Sequence, residues 1–137
     1  MILLDTNVIS ELLKPQASGA VLLWLDAQPR STVCLSVISQ AELLRGVMHL
    51  PEGRRKREIG TAVEQMLATF QGRLLPFDES AARAYAEVVS DRRVAGRPIA
   101  DFDAMIAAIA RINDATLATR NIRDFRGCGI KLFDPWA

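Results

Sequence analysis

Residues 1–10, MILLDTNVIS, run three apolar residues after Met1 straight into an acid, Asp5, followed by Thr6 and Asn7. Ile2–Leu4 reads as a short buried strand, and Asn7–Leu13 as a helix that stops near Pro15. An acid at that junction has two readings. It caps the helix, a role that suits a side chain able to accept an orphan backbone N–H, or it belongs to a site at the carboxyl end of the strand. The rest of the chain decides what else reaches that end.

Working outward, Val21–Ala27 is a second short helical piece closing at Pro29, and Thr32–Leu35 is rich in β-formers. A helix beginning at Ser36 or Ser39 runs to about Leu50 and ends at Pro51. Arg54–Phe70 is helical, with Ile59, Val63, Met66, Leu67 and Phe70 on one face. Leu74–Leu75 is a short strand after Gly72. Asp78 caps a helix from Glu79 to about Val94, with Gly96 and Pro98 beyond its end. Asp101–Ile112 contains the seven-residue run AMIAAIA and is expected to be buried on more than one side. Thr116–Ala118 and Lys131–Phe133 are the last strands, separated by a turn around Arg123–Gly129. Short apolar strands alternating with helices predict an α/β fold, a mostly parallel central sheet flanked by helices, in one domain over residues 1–137.

Such sheets bind ligands beyond the carboxyl ends of their strands. Asp5 follows the first strand, Glu42 lies early in the helix after the second, and Asp103 is in the first turn of the helix leading to the fourth. Asn121 and Asp124 follow the fourth strand. Taken singly, each has a bland explanation. Asp5 caps; Glu42 completes a capping box with Ser39 or pairs with Arg45; Asp101 and Asp103 suit a helix N-terminus. Taken together, acids at three or four element starts sharing one edge repel each other, and a divalent cation relieves that repulsion. A hard ion held by oxygens, with retained water to attack a phosphodiester, fits acids without histidine.

Composition narrows the alternatives. The single histidine, His49, argues against histidine-rich zinc sites and most Ser-His or Cys-His catalysis. Cys34 and Cys128 form no CxxC and are expected to stay reduced. The apolar runs are too short to span a bilayer, and no basic region precedes the first one, so a cytoplasmic protein is expected. Net charge is +1, but setting Asp5, Glu42 and Asp103 aside from the 16 acids leaves 13 against 17 Lys and Arg. The remaining surface, including the run Arg54, Arg55, Lys56 and Arg57, suits a polyanion or is simply solvated.

The motifs LLDTNVIS, SQAELLRG, GRPIADFDAMIAAIA and LATRNIRDF, in that order, resemble those of PIN-domain ribonucleases across essentially the whole chain. The likeness is nearest to VapC-type toxins of toxin–antitoxin pairs, including the FitB-like subgroup, whose chains also end near a Pro-Trp like the DPW here. The resemblance implies a Mg²⁺-dependent endoribonuclease, with Mn²⁺ as an alternative ion. Its catalytic and metal-holding residues would be Asp5, Glu42 and Asp103. Asn121 stands where many relatives carry a fourth acid, with Asp124 as an additional ligand three residues later. Thr6, Asn7 and Thr119 correspond to polar supports, and Arg120, Arg123, Arg54, Arg55 and Arg57 are candidates for RNA contact. Also implied are a tRNA or other structured RNA substrate, a homodimer, and a cognate VapB-type antitoxin that inserts a basic residue into the acidic pocket. Operator DNA would be bound only through the antitoxin.

Three other readings compete. A haloacid-dehalogenase-type phosphatase needs a second Asp where this chain has Asn7. A receiver-like phosphoacceptor needs paired acids after the first strand and a Lys after the last, whereas Asp5 stands alone and Lys131 begins the last strand. A catalytically inactive PIN-like module would bind nucleic acid or a partner without cutting.

Overall fold

The computed structural model describes residues 1–137. Its sheet is built from β1 (Ile2–Leu4), β2 (Val33–Ser36), β3 (Leu74–Leu75), β4 (Thr116–Ala118) and β5 (Lys131–Phe133), in the order β3-β2-β1-β4-β5. Every neighbouring pair is parallel. The two-residue period of a strand sorts the apolar side chains onto two cores. Leu3, Cys34 and Leu117 face one side, where they pack with Ala81, Val88 and Ile106. Leu4, Leu35 and Ala118 face the other, with Val8, Ile9, Val63 and Leu67. β1 and β2, buried almost throughout, read as near-continuous apolar runs despite their length, whereas the edge strand β5 begins and ends on exposed residues.

Seven helices cover these faces: α1 (Thr6–Leu12), α2 (Gly19–Asp26), α3 (Val37–Met48), α4 (Arg54–Thr69), α5 (Glu79–Val94), α6 (Asp101–Ile112) and α7 (Ile122–Phe125). Four local readings change. Residues 30–32 form a 3₁₀ turn, so β2 begins at Val33. Ser36, at the end of that strand, caps α3 by accepting from the Ser39 N–H at 3.1 Å, so Ser39 is not the cap and Glu42 closes no capping box. Asp101 is not a cap either: Ala100 occupies that position, and the Asp101 carboxylate accepts from the Tyr85 hydroxyl at 2.9 Å. Where a turn is expected around 123–129, residues 122–125 wind into α7, held by the buried ring of Phe125.

Beneath α7 lies a buried cation. Arg92 of α5 donates from Nε to the Arg97 carbonyl at 2.7 Å and from Nη1 to the Asp124 carbonyl at 2.6 Å. These bonds fasten α7 to α5, and a third contact reaches the Cys128 sulfur. No helix is long and apolar enough to cross a membrane.

Helix α6 is the central brace. Ala104 and Ile106–Ala110 are fully buried, and the helix packs closely on α5 along Ala81, Ala84 and Val88. Small side chains permit this approach, so added volume has nowhere to go. Ala107→Leu is expected to destabilise the protein by about 1–3 kcal/mol. Urea unfolding should show a lower midpoint with an unchanged slope.

Candidate active site

The strand order reverses between β1 and β4, which is where a doubly wound sheet opens a crevice at its carboxyl edge. Asp5 and Thr119 stand on either side of it. The Asp5 N–H donates to the Ala118 carbonyl at 2.9 Å, prolonging the ladder by one residue and fixing the carboxylate at the sheet's end. Asp5 Oδ1 accepts from the Thr6 N–H at 2.8 Å, so the residue does cap α1. Its Oδ2 accepts from the Thr119 hydroxyl at 2.7 Å. The carboxylate that caps α1 is thus also the one that stands at the carboxyl edge of the sheet.

A chain of hydroxyls secures the second acid. Glu42 Oε1 lies 2.7 Å from Thr6 Oγ1, which is 2.8 Å from Ser39 Oγ. Since an ionised carboxylate only accepts, Thr6 donates to Glu42 and takes its own bond from Ser39. Ser36 in turn lies 3.5 Å from Ser39 and supplies the start of the relay. Both serines are fully buried. The sequence offers them only as alternative caps, because Thr6, which joins them to Glu42, arrives from another element.

Asp103, half-buried in the first turn of α6, completes the group. Burial, reinforced by the charges of Asp5, Glu42 and Asp124, lifts its carboxyl to about 6, with Arg92 opposing the rise. Asp5 is also raised, chiefly by burial, against the lowering effect of its bonds from Thr119 and Thr6. Across the crevice, Thr119 Oγ1 accepts from the Asn121 N–H at 3.0 Å and from Asn7 Nδ2 at 3.3 Å, while Asn7 Oδ1 accepts from the Arg120 N–H at 3.4 Å. Asn121 begins α7 without a capping bond from its side chain. Asp124 is exposed, close enough for its charge to act on both buried acids.

The arginines separate into two groups. Arg54 pairs with Glu58 on its own helix, and Lys56 pairs with Glu52 and bonds the Met48 carbonyl. That contact puts the basic run at the end of α3, about 9 Å along the helix axis from Glu42. Arg55 and Arg57 share that remote location, Arg57 lining a cleft of about 890 Å³ between α3 and α4. Arg120 and the exposed Arg123 adjoin the crevice through Thr119 and Asn121. Arg45 does not pair with Glu42; its guanidinium sits 5.1 Å from the centre of the Phe102 ring.

The donor set suits a hard, hydrated cation. All available ligands are oxygens, and His49 lies at the far end of α3, bonded to the Arg45 carbonyl. No three acidic, histidine or cysteine side chains form a ready-made cage. Mg²⁺ takes only one or two carboxylates directly and keeps several waters, so separated but mutually repelling acids fit it.

Comparison with known families decides the lineage: the PIN domain matches residues 2–128. The chain belongs to the PIN-domain family. Toxin FitB of Neisseria gonorrhoeae is 44% identical over 137 residues, covering 99% of both chains. The VapC ribonuclease Y4jK of Sinorhizobium fredii is 41% identical over 137 residues, covering 99% of this chain and 98% of that one. Among solved structures, FitAB bound to an IR36 DNA fragment contains a chain that superposes with a TM-score of 0.94 at 43% identity, covering 100% of this chain and 96% of that one. The expected PIN fold is therefore correct, and its sheet is parallel throughout.

The raised Asp103 carboxyl has a consequence for this PIN domain. An aspartate in the unfolded chain ionises near 3.8, so between about pH 4 and pH 6 the folded state holds the proton more tightly. Its contribution is fully present below pH 4 and lost as pH rises through 6. In EDTA, melting temperature should fall across this window, and Asp103→Asn should flatten the fall and melt higher than the parent at pH 7. A parent and variant that melt in parallel at every pH would contradict the repulsion described.

Proposed function

We propose that this chain is a metal-dependent endoribonuclease and the toxin of a type II toxin–antitoxin pair. The observation that carries the reading is the convergence of Asp5, Glu42 and Asp103 from β1, α3 and α6 at the crevice, each raised in energy by burial or by its neighbours or braced by hydroxyls. The full-length similarity to a toxin and to a ribonuclease supports it.

Asp5, Glu42 and Asp103 would hold Mg²⁺, or Mn²⁺ in its place, with Asn121 offering a neutral amide oxygen and Asp124 a further carboxylate. Such an ion supplies charge neutralisation at the scissile phosphate and makes water a better nucleophile at neutral pH. The protein's own part is orientation. Thr119 and Thr6 each occupy one oxygen of Asp5 and fix its plane. Thr6, fed by Ser39 and Ser36, holds Glu42 by Oε1 alone and leaves Oε2 free of protein partners. Asn7 braces Thr119, which keeps both flanks of the crevice in register.

The substrate proposed is tRNA or another structured RNA. A cognate VapB-type antitoxin neutralises the protein by placing a basic side chain among the acids, where an arginine can pair bidentately with a carboxylate. Operator DNA is reached only through that antitoxin, and two copies of the chain form the toxin dimer.

The test is cleavage of total cellular RNA by antitoxin-free protein with Mg²⁺, with Mn²⁺ and with EDTA. Cleavage should require metal, and Asp103→Asn should reduce it by about 100-fold or more while the protein stays folded. Thr119→Val, which strips Asp5 of its hydroxyl partner, should cost about 10- to 100-fold. Metal binding without any RNA product would assign the chain instead to the non-cutting class of PIN-like modules.

A further inference from the structure

Two exposed arginines beside the acidic crevice are each parked on an aromatic ring. Arg45 lies one helical turn beyond Glu42 on α3, and its guanidinium is 5.1 Å from the centre of the Phe102 ring, the residue preceding Asp103. Arg120 follows Thr119, and its guanidinium is 5.1 Å from the centre of the Trp136 ring. Its backbone N–H is tied to Asn7, which bonds the Thr119 hydroxyl that holds Asp5. One pair therefore adjoins Glu42 and Asp103, and the other adjoins Asp5 and Asn121. Neither arginine has a carboxylate within salt-bridge distance.

An arginine one turn from Glu42 is drawn towards its carboxylate, and collapse onto it would compete with a cation for the same oxygens. The charge of Arg120 is felt at Glu11 of α1 rather than at Asp5 or Asp103. The rings offer each guanidinium another seat. A guanidinium lying over a ring keeps its in-plane N–H edge free, which is the edge that grips a phosphate bidentately. The Trp136 seat is itself built: the residue's backbone N–H donates to Asp134 Oδ1 at 2.8 Å, and its ring packs against the core containing Leu4 and Ala118.

We propose that the Arg45–Phe102 and Arg120–Trp136 pairs are two grips that hold an RNA backbone beside the acidic crevice, one next to Glu42 and Asp103 and the other next to Asp5 and Asn121, each guanidinium seated on its ring. This rests on the ribonuclease reading and adds, to the RNA contact already expected of Arg120, a second one at Arg45 and the two rings that seat them. Phe102 and Trp136 are positioning residues; the arginines touch the RNA. Phosphate contacts of this kind position a strand without reading its sequence.

The experiment measures binding of a short labelled single-stranded RNA by anisotropy, in an Asp103→Asn background with Mg²⁺, over a range of salt. Arg45→Ala and Arg120→Ala should each weaken binding about tenfold and lower the salt slope by about 0.7, as expected when one phosphate contact is lost. Arg45→Lys should keep most of the slope. Phe102→Leu and Trp136→Leu should weaken binding less, with the charge still present. Both arginines are exposed, so their alanine variants fold even if a ring variant does not. Unchanged affinity and slope in both alanine variants would overturn the proposal, as would loss of antitoxin binding with RNA binding intact. Cleavage by the unsubstituted protein is followed in parallel: its absence removes the ribonuclease reading, while the anisotropy still decides whether these pairs hold RNA.

Discussion

The hydrogen bond from the Thr119 hydroxyl to Asp5 joins the carboxyl ends of two parallel strands, and the acidic crevice is organised around it. Burial makes the ionised form of Asp5 unfavourable, and the neighbouring charges of Glu42 and Asp124 add to that strain. The strain is tolerated because both oxygens of Asp5 accept bonds from rigid partners, one a backbone N–H at a helix start and one a buried hydroxyl. Remove the hydroxyl and the carboxylate is left buried with half its partners. The same logic governs Glu42, whose partner Thr6 is oriented by two buried serines. Polar support here is directional, running from strand-end hydroxyls towards acids that can only accept.

Much of this was legible in the chain. β1 and β2 could be read because they lie between two cores and are apolar almost throughout, β4 and β5 despite carrying Thr116 and the exposed Lys131 and Phe133, and the helices announced themselves through caps and proline stops. The address of the acids followed from the parallel sheet alone. Less visible was the division of labour among similar residues. Nothing in the spacing of Ser36, Ser39 and Glu42 distinguishes a capping box from a hydroxyl relay, because the difference depends on Thr6 arriving from another element. Asp101 and Asp103 look alike in sequence, yet Tyr85 draws one towards α5 while the other faces Asp5 and Glu42. Arg45 was within reach of Glu42 along the helix, and only the fold could bring Phe102 to compete for it.

Arg92 illustrates the remaining gap. It reads as one of several basic residues at a helix end, but it is 5% exposed and bonds carbonyls on two separate segments. A cation buried without a carboxylate partner is uncommon, and here it faces a region crowded with negative charge. It fastens α7 and tempers Asp103, so the stability and the electrostatics of the crevice share one residue.

The pairing of β1 with β4 brings Ile2 beside Thr116, and the bond that completes Asp5 spans 114 positions of sequence. A growing chain therefore carries its first acid long before the helix bearing the third, or the threonine that orients the first, has been made. Until β4 can slide in beside β1, the N-terminal acid has no crevice to belong to. For a protein proposed to cut RNA, this order of assembly keeps the activity out of reach while the ribosome is still extending the chain through residue 119. The topology thus times the activity as well as placing it.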